Sequence, residues 1–414
     1  MHNLQPEHLS SYYEARNSVQ TNGATSVREM LIDVTRLVDR LMQGRLPTGV
    51  DRVSLAYVRH FAHRAAALIR FAGRWIVLSR ADSEVLFAAL LTPGEGFAWW
   101  VRWLVTRNLV RSGSPGRLTG RLLFNTGHSG LDAADYAARI RRYGLKLFLF
   151  VHDLIPLTHP EYCRAGEADR HGRRMDTVLG VGHGVIVNSE VTRLDLEQYA
   201  RSTLRPMPPS VVAPLAQVHL PSGDAEAPLE YPYFVMLGTI EPRKNHWLIL
   251  HVWRELAERL GDATPRLVVI GQLGWECENV LDMLERCDAL KRFVIRLSSC
   301  TDAELATWLR HARALLFASF VEGFGLPLVE ALSLGVPAIA SDLPVFREIA
   351  GDIPDYLDPF DGAGWHALVL EYARPDSLRR QAQLTRMQGY AVPSWNDHFA
   401  IVEDFMERLY VAPC

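Results

Sequence analysis

The sequence predicts an α/β protein made of two doubly wound domains that face a cleft. Three observations carry this. Short apolar runs alternate with longer amphipathic stretches, the pattern of a mainly parallel sheet flanked by helices. A proline-rich, aperiodic segment breaks the alternation near mid-chain, after which it restarts. The chain has 414 residues, enough for two or three domains at roughly 100–200 residues each.

Residues 1–28 are polar and aperiodic and read as a loose extension. Strands are then predicted at Met30–Thr35, Trp75–Ser79, Leu122–Asn125, Lys146–Val151, Val185–Asn188 and Val211–Ala213, with helices such as Ala133–Tyr143 and Glu190–Ala200 between them. Leu215–Tyr231, in a stretch marked by Pro214, Pro221, Pro228 and Pro232, reads as a linker. Beyond it, strands at Tyr233–Leu237, Arg266–Ile270, Phe293–Leu297, Ala314–Ala318 and Ala338–Ser341 alternate with helices at His246–Leu260, Val280–Cys287, Asp302–Ala312 and Leu328–Leu334. Two such domains create a crevice at the carboxyl ends of their strands, where sheets of this kind bind ligands.

Composition excludes several classes of function. The net charge is −3, so no global basic field marks a nucleic-acid binder, and no nucleic-acid partner is expected. Cys163, Cys277, Cys287, Cys300 and Cys414 are scattered, without the C-x-x-C spacing of a metal cluster, and suit a reducing compartment. The N-terminus lacks the apolar core of a secretory signal, and no clean run of 18 apolar residues is present. A cytoplasmic protein is expected.

The segment that speaks most clearly of chemistry is Glu322-Gly-Phe-Gly-Leu-Pro-Leu-Val-Glu330, directly after the apolar run ending at Ser319. Its glycines permit a tight turn, and Pro327 suits the first turn of a helix whose free amides can face an anion. The two carboxylates would look into one cleft at different depths. On its own the pair is weak, since Glu330 could simply offset a helix dipole. The context adds Leu237-Gly-Thr-Ile-Glu-Pro-Arg-Lys-Asn245 after one strand and Ser341-Asp-Leu-Pro-Val-Phe-Arg-Glu-Ile-Ala-Gly351 after another.

Together these segments resemble the E-x7-E signature, the G-x-x-x-P-R-K-N turn and the S-x6-E-x-x-G tail of family 4 retaining glycosyltransferases. The resemblance is strongest over residues 230–352 and weaker at His152-Asp-Leu-Ile-Pro156, Val187-Asn-Ser-Glu190 and Pro47-Thr-Gly-Val-Asp-Arg52. It implies the GT-B fold: an acceptor-binding Rossmann-like domain over residues 29–220, a nucleotide-sugar-binding one over 221–395, and a helix over 396–414 returning to the first.

The resemblance also assigns roles. Arg243 and Lys244 would meet the donor's diphosphate and stabilise its growing charge without a metal; the alternative is a solvated basic turn. Glu330 would hold the ribose hydroxyls and Glu322 the transferred sugar, while the Phe324, Gly325 and Leu326 amides contact sugar and phosphate. His152 would lie at the donor sugar, its carbonyl beneath the reacting carbon. Gly49 would let the chain approach the diphosphate. Arg52 is either a phosphate or acceptor contact or, with Asp51, merely the opening of a helix. Asn188 and Ser189 read better as a helix cap than as ligands. The turn after Gly238 is one residue short of the family pattern, with Thr239 where an arginine is common, which leaves Arg243 as the nearer cation.

The implied reaction moves a hexosyl group from a nucleotide-sugar to a hydroxyl of a glycan or lipid-linked glycan, with no metal and no cofactor. Retention by a front-face route is favoured, because no first-domain carboxylate is clearly a nucleophile. The neighbourhood of Glu241–Trp247 resembles bacterial mannosyltransferases of surface-polysaccharide assembly, which points to GDP-mannose or another NDP-hexose. The alternatives are a non-catalytic sugar-binding protein on the same fold or a GT-B epimerase.

One segment lies outside these motifs. Residues 97–121 carry Trp99, Trp100 and Trp103 among Arg102, Arg107 and Arg111, with Arg117 and Arg121 following. Such a helix suits peripheral attachment to the anionic inner face of the cytoplasmic membrane. The competing reading is a core helix with solvated arginines.

Overall fold

A computed structural model describes residues 30–111, 118–217 and 225–411. The expected loose extension at residues 1–28 lies outside these, as do Arg117 and residues 218–224 of the expected linker.

Apolar segments buried on both faces make the sheets. In the first, β1 (Met30–Asp33), β2 (Ala65–Phe71), β3 (Arg74–Val77), β4 (Leu122–Asn125), β5 (Lys146–Val151), β6 (Gly182–Val187) and β7 (Ser210–Val212) lie in the order β3-β2-β1-β4-β5-β6-β7. The β2–β3 pair is antiparallel, and the other pairs are parallel. In the second, β8 (Tyr233–Leu237), β9 (Arg266–Ile270), β10 (Val294–Leu297), β11 (Leu315–Phe317), β12 (Ala338–Ser341) and β13 (Asp355–Leu357) pair in parallel, in the order β10-β9-β8-β11-β12-β13. Continuous runs such as Leu147–Val151 and Leu267–Ile270 are fully buried, as parallel strands covered by helices require.

Strand order reverses at one place in each sheet. The loops after β1 and β4 diverge in the first, and those after β8 and β11 in the second. Such switch points open the crevices where doubly wound sheets take ligands.

The helix Trp395–Val411 leaves the second sheet and packs on the first. Phe399, Val402, Phe405 and Met406 join the core built on Tyr57, Phe61, Phe124 and Phe150, and the His398 imidazole shares a 3.0 Å hydrogen bond with the Tyr57 hydroxyl.

The helix Phe97–Arg111 divides its faces. Phe97, Trp100, Val101, Leu104 and Val105 are buried, whereas Trp99 and Trp103 are 58% and 37% exposed. Arg102 is exposed, and Arg107 pairs with Asp82 and lies over the Trp103 ring. The inward face is core, yet two of the three tryptophans look outward beside Arg102. The Arg111 side chain is outside the described part. Among the described residues, no helix is long and apolar enough to cross a membrane.

Candidate active site

The second-sheet switch point gathers four charged side chains. After β8 the chain turns through the short helix Pro242–Lys244; after β11 it runs through Ser319–Gly325. The Phe320 amide donates to the Arg243 carbonyl at 2.8 Å, which fastens one loop to the other. Glu322 then accepts from Arg243 Nη1 at 2.6 Å, from Lys244 Nζ at 2.5 Å and from Ser319 Oγ at 2.7 Å. Glu241 pairs with Arg243 Nε at 2.6 Å. The groups the sequence assigns to different parts of the donor are therefore bonded to one another.

The electrostatics follow from burial. Burial alone would raise Glu322, but Arg243 and Lys244 outweigh it and hold the carboxyl at about 2. Burial lowers Arg243, and Glu322 and Glu241 more than restore it. Lys244 is lowered by burial and by Arg243. Glu241 is raised by burial in spite of its cationic neighbours.

Glu330 stands apart from this cluster. It lies on the helix Leu326–Ser333, 4% exposed, and its neighbour is Arg52 of the first domain at 3.4 Å. Arg52 divides itself, holding Asp302 at 2.9 Å. A long, shared ion pair does not offset burial, so Glu330 is pushed up to about 7.

The first domain faces this loop with His152, at the carboxyl end of β5. Its Nε2–H donates to the Thr126 carbonyl at 2.7 Å, and its own carbonyl accepts from Asn188 Nδ2 at 2.8 Å. Burial, only partly offset by the Thr126 bond, lowers the imidazole to about 4, so the ring is neutral near pH 7. Gly323 lies against it: a Cβ there would stand 2.5 Å from the His152 carbonyl oxygen. The Gly323 carbonyl in turn accepts from Ser189 Oγ and Thr192 Oγ1, each at 3.2 Å. Ser189 also caps the helix Glu190–Ser202, accepting from the Thr192 amide.

Gly49 opens the helix Gly49–Phe61, which Thr48 and Asp51 close with a capping box. Asp51 thus serves the cap, while Arg52, the next residue, reaches across the cleft. A Cβ on Gly49 would meet Leu326 Cδ1 at 3.3 Å. Gly325 takes φ +130°, and the turn it makes carries Phe324 into the first-domain core, with Leu326 packed beside it. His152, Gly49, Arg243, Lys244, Glu322 and the Phe324–Leu326 loop are thus brought together, with Glu330 one turn deeper. Sequence reasoning missed Ser319, Glu241 and Asp302, which hold these groups. Ser319 and Glu241 carry only their positions in the loops after β11 and β8 as a local signal, and Asp302 only its place in the first turn of a helix.

Among the described residues, no three His, Cys, Asp or Glu side chains gather as a metal site. The arrangement sets hydrogen-bond acceptors beside fixed cations.

The chain is similar to several known proteins. Residues 222–353 match the family model described as "Glycosyl transferases group 1". The serotype-specific mannosyltransferase WbdA of Escherichia coli is 26% identical over 398 residues, covering 88% of this chain and 44% of that protein. The chain therefore spans less than half the length of this relative. The O-antigen chain mannosyltransferase B of Escherichia coli is 32% identical over 165 residues, covering 40% of this chain and 43% of that protein. Among solved structures, Anabaena HepE in complex with UDP and glucose superposes with a TM-score of 0.63 at 14% identity, over 93% of this chain and 100% of that one. The likeness shows the two-domain GT-B fold.

Proposed function

We propose, for a chain whose residues 222–353 belong to the group 1 glycosyl transferases, that it moves a hexosyl group from a nucleotide-sugar to a hydroxyl of a glycan or lipid-linked glycan in bacterial surface-polysaccharide assembly. The observation that carries this reading is the joining of Arg243, Lys244 and Glu322 at one switch point, facing His152 and Gly49 from the other domain. On this reading residues 29–220 bind the acceptor, residues 221–395 bind the donor, and the closing helix ties one to the other.

The donor's diphosphate lies against Arg243, Lys244 and the amides of Phe324, Gly325 and Leu326. As the bond to the anomeric carbon breaks, negative charge builds on the leaving phosphate, and these groups stabilise it with little reorganisation. Glu322, ionised and held by three donors, turns its remaining lone pairs to sugar hydroxyls. Because its oxygens are engaged, it is a poor covalent nucleophile. This supports a front-face, retaining route, in which the leaving phosphate takes the acceptor's proton and no metal takes part. Glu330 accepts from the ribose hydroxyls, and the His152 carbonyl lies beneath the reacting carbon.

GDP-mannose is the donor to test first, in keeping with relatives named as mannosyltransferases. Nucleoside diphosphate release from GDP-mannose and from UDP-, dTDP- and ADP-hexoses, with and without a lipid-linked glycan, tests the reading. Turnover that rises with acceptor supports it; absence of binding and release with every donor refutes it.

The exposed Trp99 and Trp103 beside Arg102 support peripheral attachment to the cytoplasmic face of an anionic membrane. Flotation with anionic but not neutral vesicles is expected, and its loss on replacing Trp99 and Trp103 with alanine.

A further inference from the structure

We propose that Arg36 is a phosphate-binding residue supplied by the first domain, reaching the donor's diphosphate from the opposite wall of the cleft. The inference rests on the functional reading above and adds a contact to it.

The charges assembled in the second domain raise the question. Arg243 and Lys244 face the carboxylates of Glu322 and Glu241, so in formal charge the cluster cancels, and Asp153 adds negative potential at Arg243. Arg52 is held by Asp302 and Glu330. A diphosphate entering this site meets oriented donors but little net positive charge. Across the cleft Arg36 and Arg40 share the single carboxylate of Asp51, each at 2.8 Å, so neither guanidinium has a carboxylate to itself there.

Arg36 is placed for the task. It follows β1 at the switch point of the first sheet, opposite the loop after β4. Its Nε is spent on Asp51. Among the described residues, its two terminal amino groups donate no hydrogen bond, and the side chain is 34% exposed. Its charge is felt at His152, the residue whose carbonyl lies against Gly323. A guanidinium with one edge anchored and the other open is a preorganised fork for phosphate oxygens.

Gly127 clears the way for it. A Cβ at that position would stand 2.8 Å from Arg36 Cδ, so the arginine stem crosses the β4 loop in the space of the missing side chain. Gly127 is not among the glycines with positive φ. An alanine there is conformationally tolerable and would displace the arginine without removing its charge.

The test is calorimetric titration with GDP, UDP, dTDP and ADP, then with the tightest binder's parent nucleoside. The proteins are wild type, Arg36→Ala, Arg36→Lys, Gly127→Ala, the Arg36→Ala/Gly127→Ala double variant and Lys244→Ala. Arg36→Ala should weaken the nucleoside diphosphate by about 10- to 100-fold, the range of a hydrogen bond to a charged group, and leave the nucleoside unchanged. Lysine should restore part of the loss. Gly127→Ala should weaken binding in wild type and add nothing in the Arg36→Ala background. Should Arg36→Ala not fold, the lysine and Gly127 variants decide alone. Full affinity in the Arg36 and Gly127 variants, with affinity lost in Lys244→Ala, overturns the role of Arg36 and leaves the functional reading standing. If wild type binds none of the four nucleotides, the reading falls and the Arg36 contact with it.

Discussion

Replacing Glu330 with glutamine should flatten the dependence of stability on pH. The carboxyl is held at about 7, against an ordinary value of 4.5, because burial is the largest influence and Arg52 compensates it poorly. A folded-state pKa above the unfolded value means that the folded protein binds the proton more tightly. The resulting stabilisation is complete below pH 4.5 and is lost as pH rises through 7. Its ceiling is about 3.5 kcal/mol, from two and a half units at roughly 1.4 kcal/mol each. Between pH 6 and 8 the folded form gives up about one unit more than the unfolded chain, so wild type should lose about 1.4 kcal/mol from this group. Glutamine keeps the shape and hydrogen-bonding capacity but cannot titrate. The assay is urea unfolding of both proteins at pH 6, 7 and 8, read as the change in the difference between them. That difference should move in favour of the variant by about 1.4 kcal/mol across the range. Parallel profiles would refute the account of Glu330 as a buried, underpaired carboxyl.

Three further outcomes are expected. Lys244→Ala leaves Glu322 short of one of its two cations; it should lower donor kcat/KM by about 10²–10³-fold and, as a broken buried ion pair, lower stability by about 3–5 kcal/mol, measured by initial rates and by denaturant midpoint. Glu322→Gln should cut turnover far more than nucleoside diphosphate affinity, compared by steady-state kinetics and calorimetry; an equal fall in both would reassign the residue to nucleotide binding. EDTA should leave donor turnover unchanged, and loss of activity restored by manganese would overturn the metal-free account.

The elements legible in the sequence are those with a local periodic signal. β5, β8 and β9 and the helix His246–Leu260 are expected and observed over the same residues, because an unbroken apolar run or a repeating apolar face needs no distant information. β2 was not assigned. Its run Ala65–Phe71 is rich in alanine, which signals strand weakly, and its turn to β3 passes through Ala72 and Gly73, both at positive φ, without the Asn-Gly signature of a tight hairpin. β13 was also missed, since Asp355–Leu357 is three residues long and too short to show a period. The helix Phe97–Arg111 carried two competing readings, because spacing along one helix cannot say which face a neighbour will cover.

The sequence by itself determined the alternation of strand and helix, the proline-rich break between two such runs, and the glycine, cation and carboxylate types at the ends of β8 and β11. Each is written within a dozen residues and follows from steric and hydrophobic rules that act locally. Only the tertiary structure decided which of these charges neutralise one another. Arg243 and Glu322 lie 79 residues apart in the chain, and Arg52 and Glu330 lie 278 apart. The first pair meets because the loops after β8 and β11 flank the switch point of the second sheet, and the second because the first domain's helix Gly49–Phe61 lies across the cleft from the helix Leu326–Ser333. The closure across the cleft buries Glu330 beside a divided partner. Burial and the competition of several partners for one charge set these properties, and both are properties of the assembled surfaces.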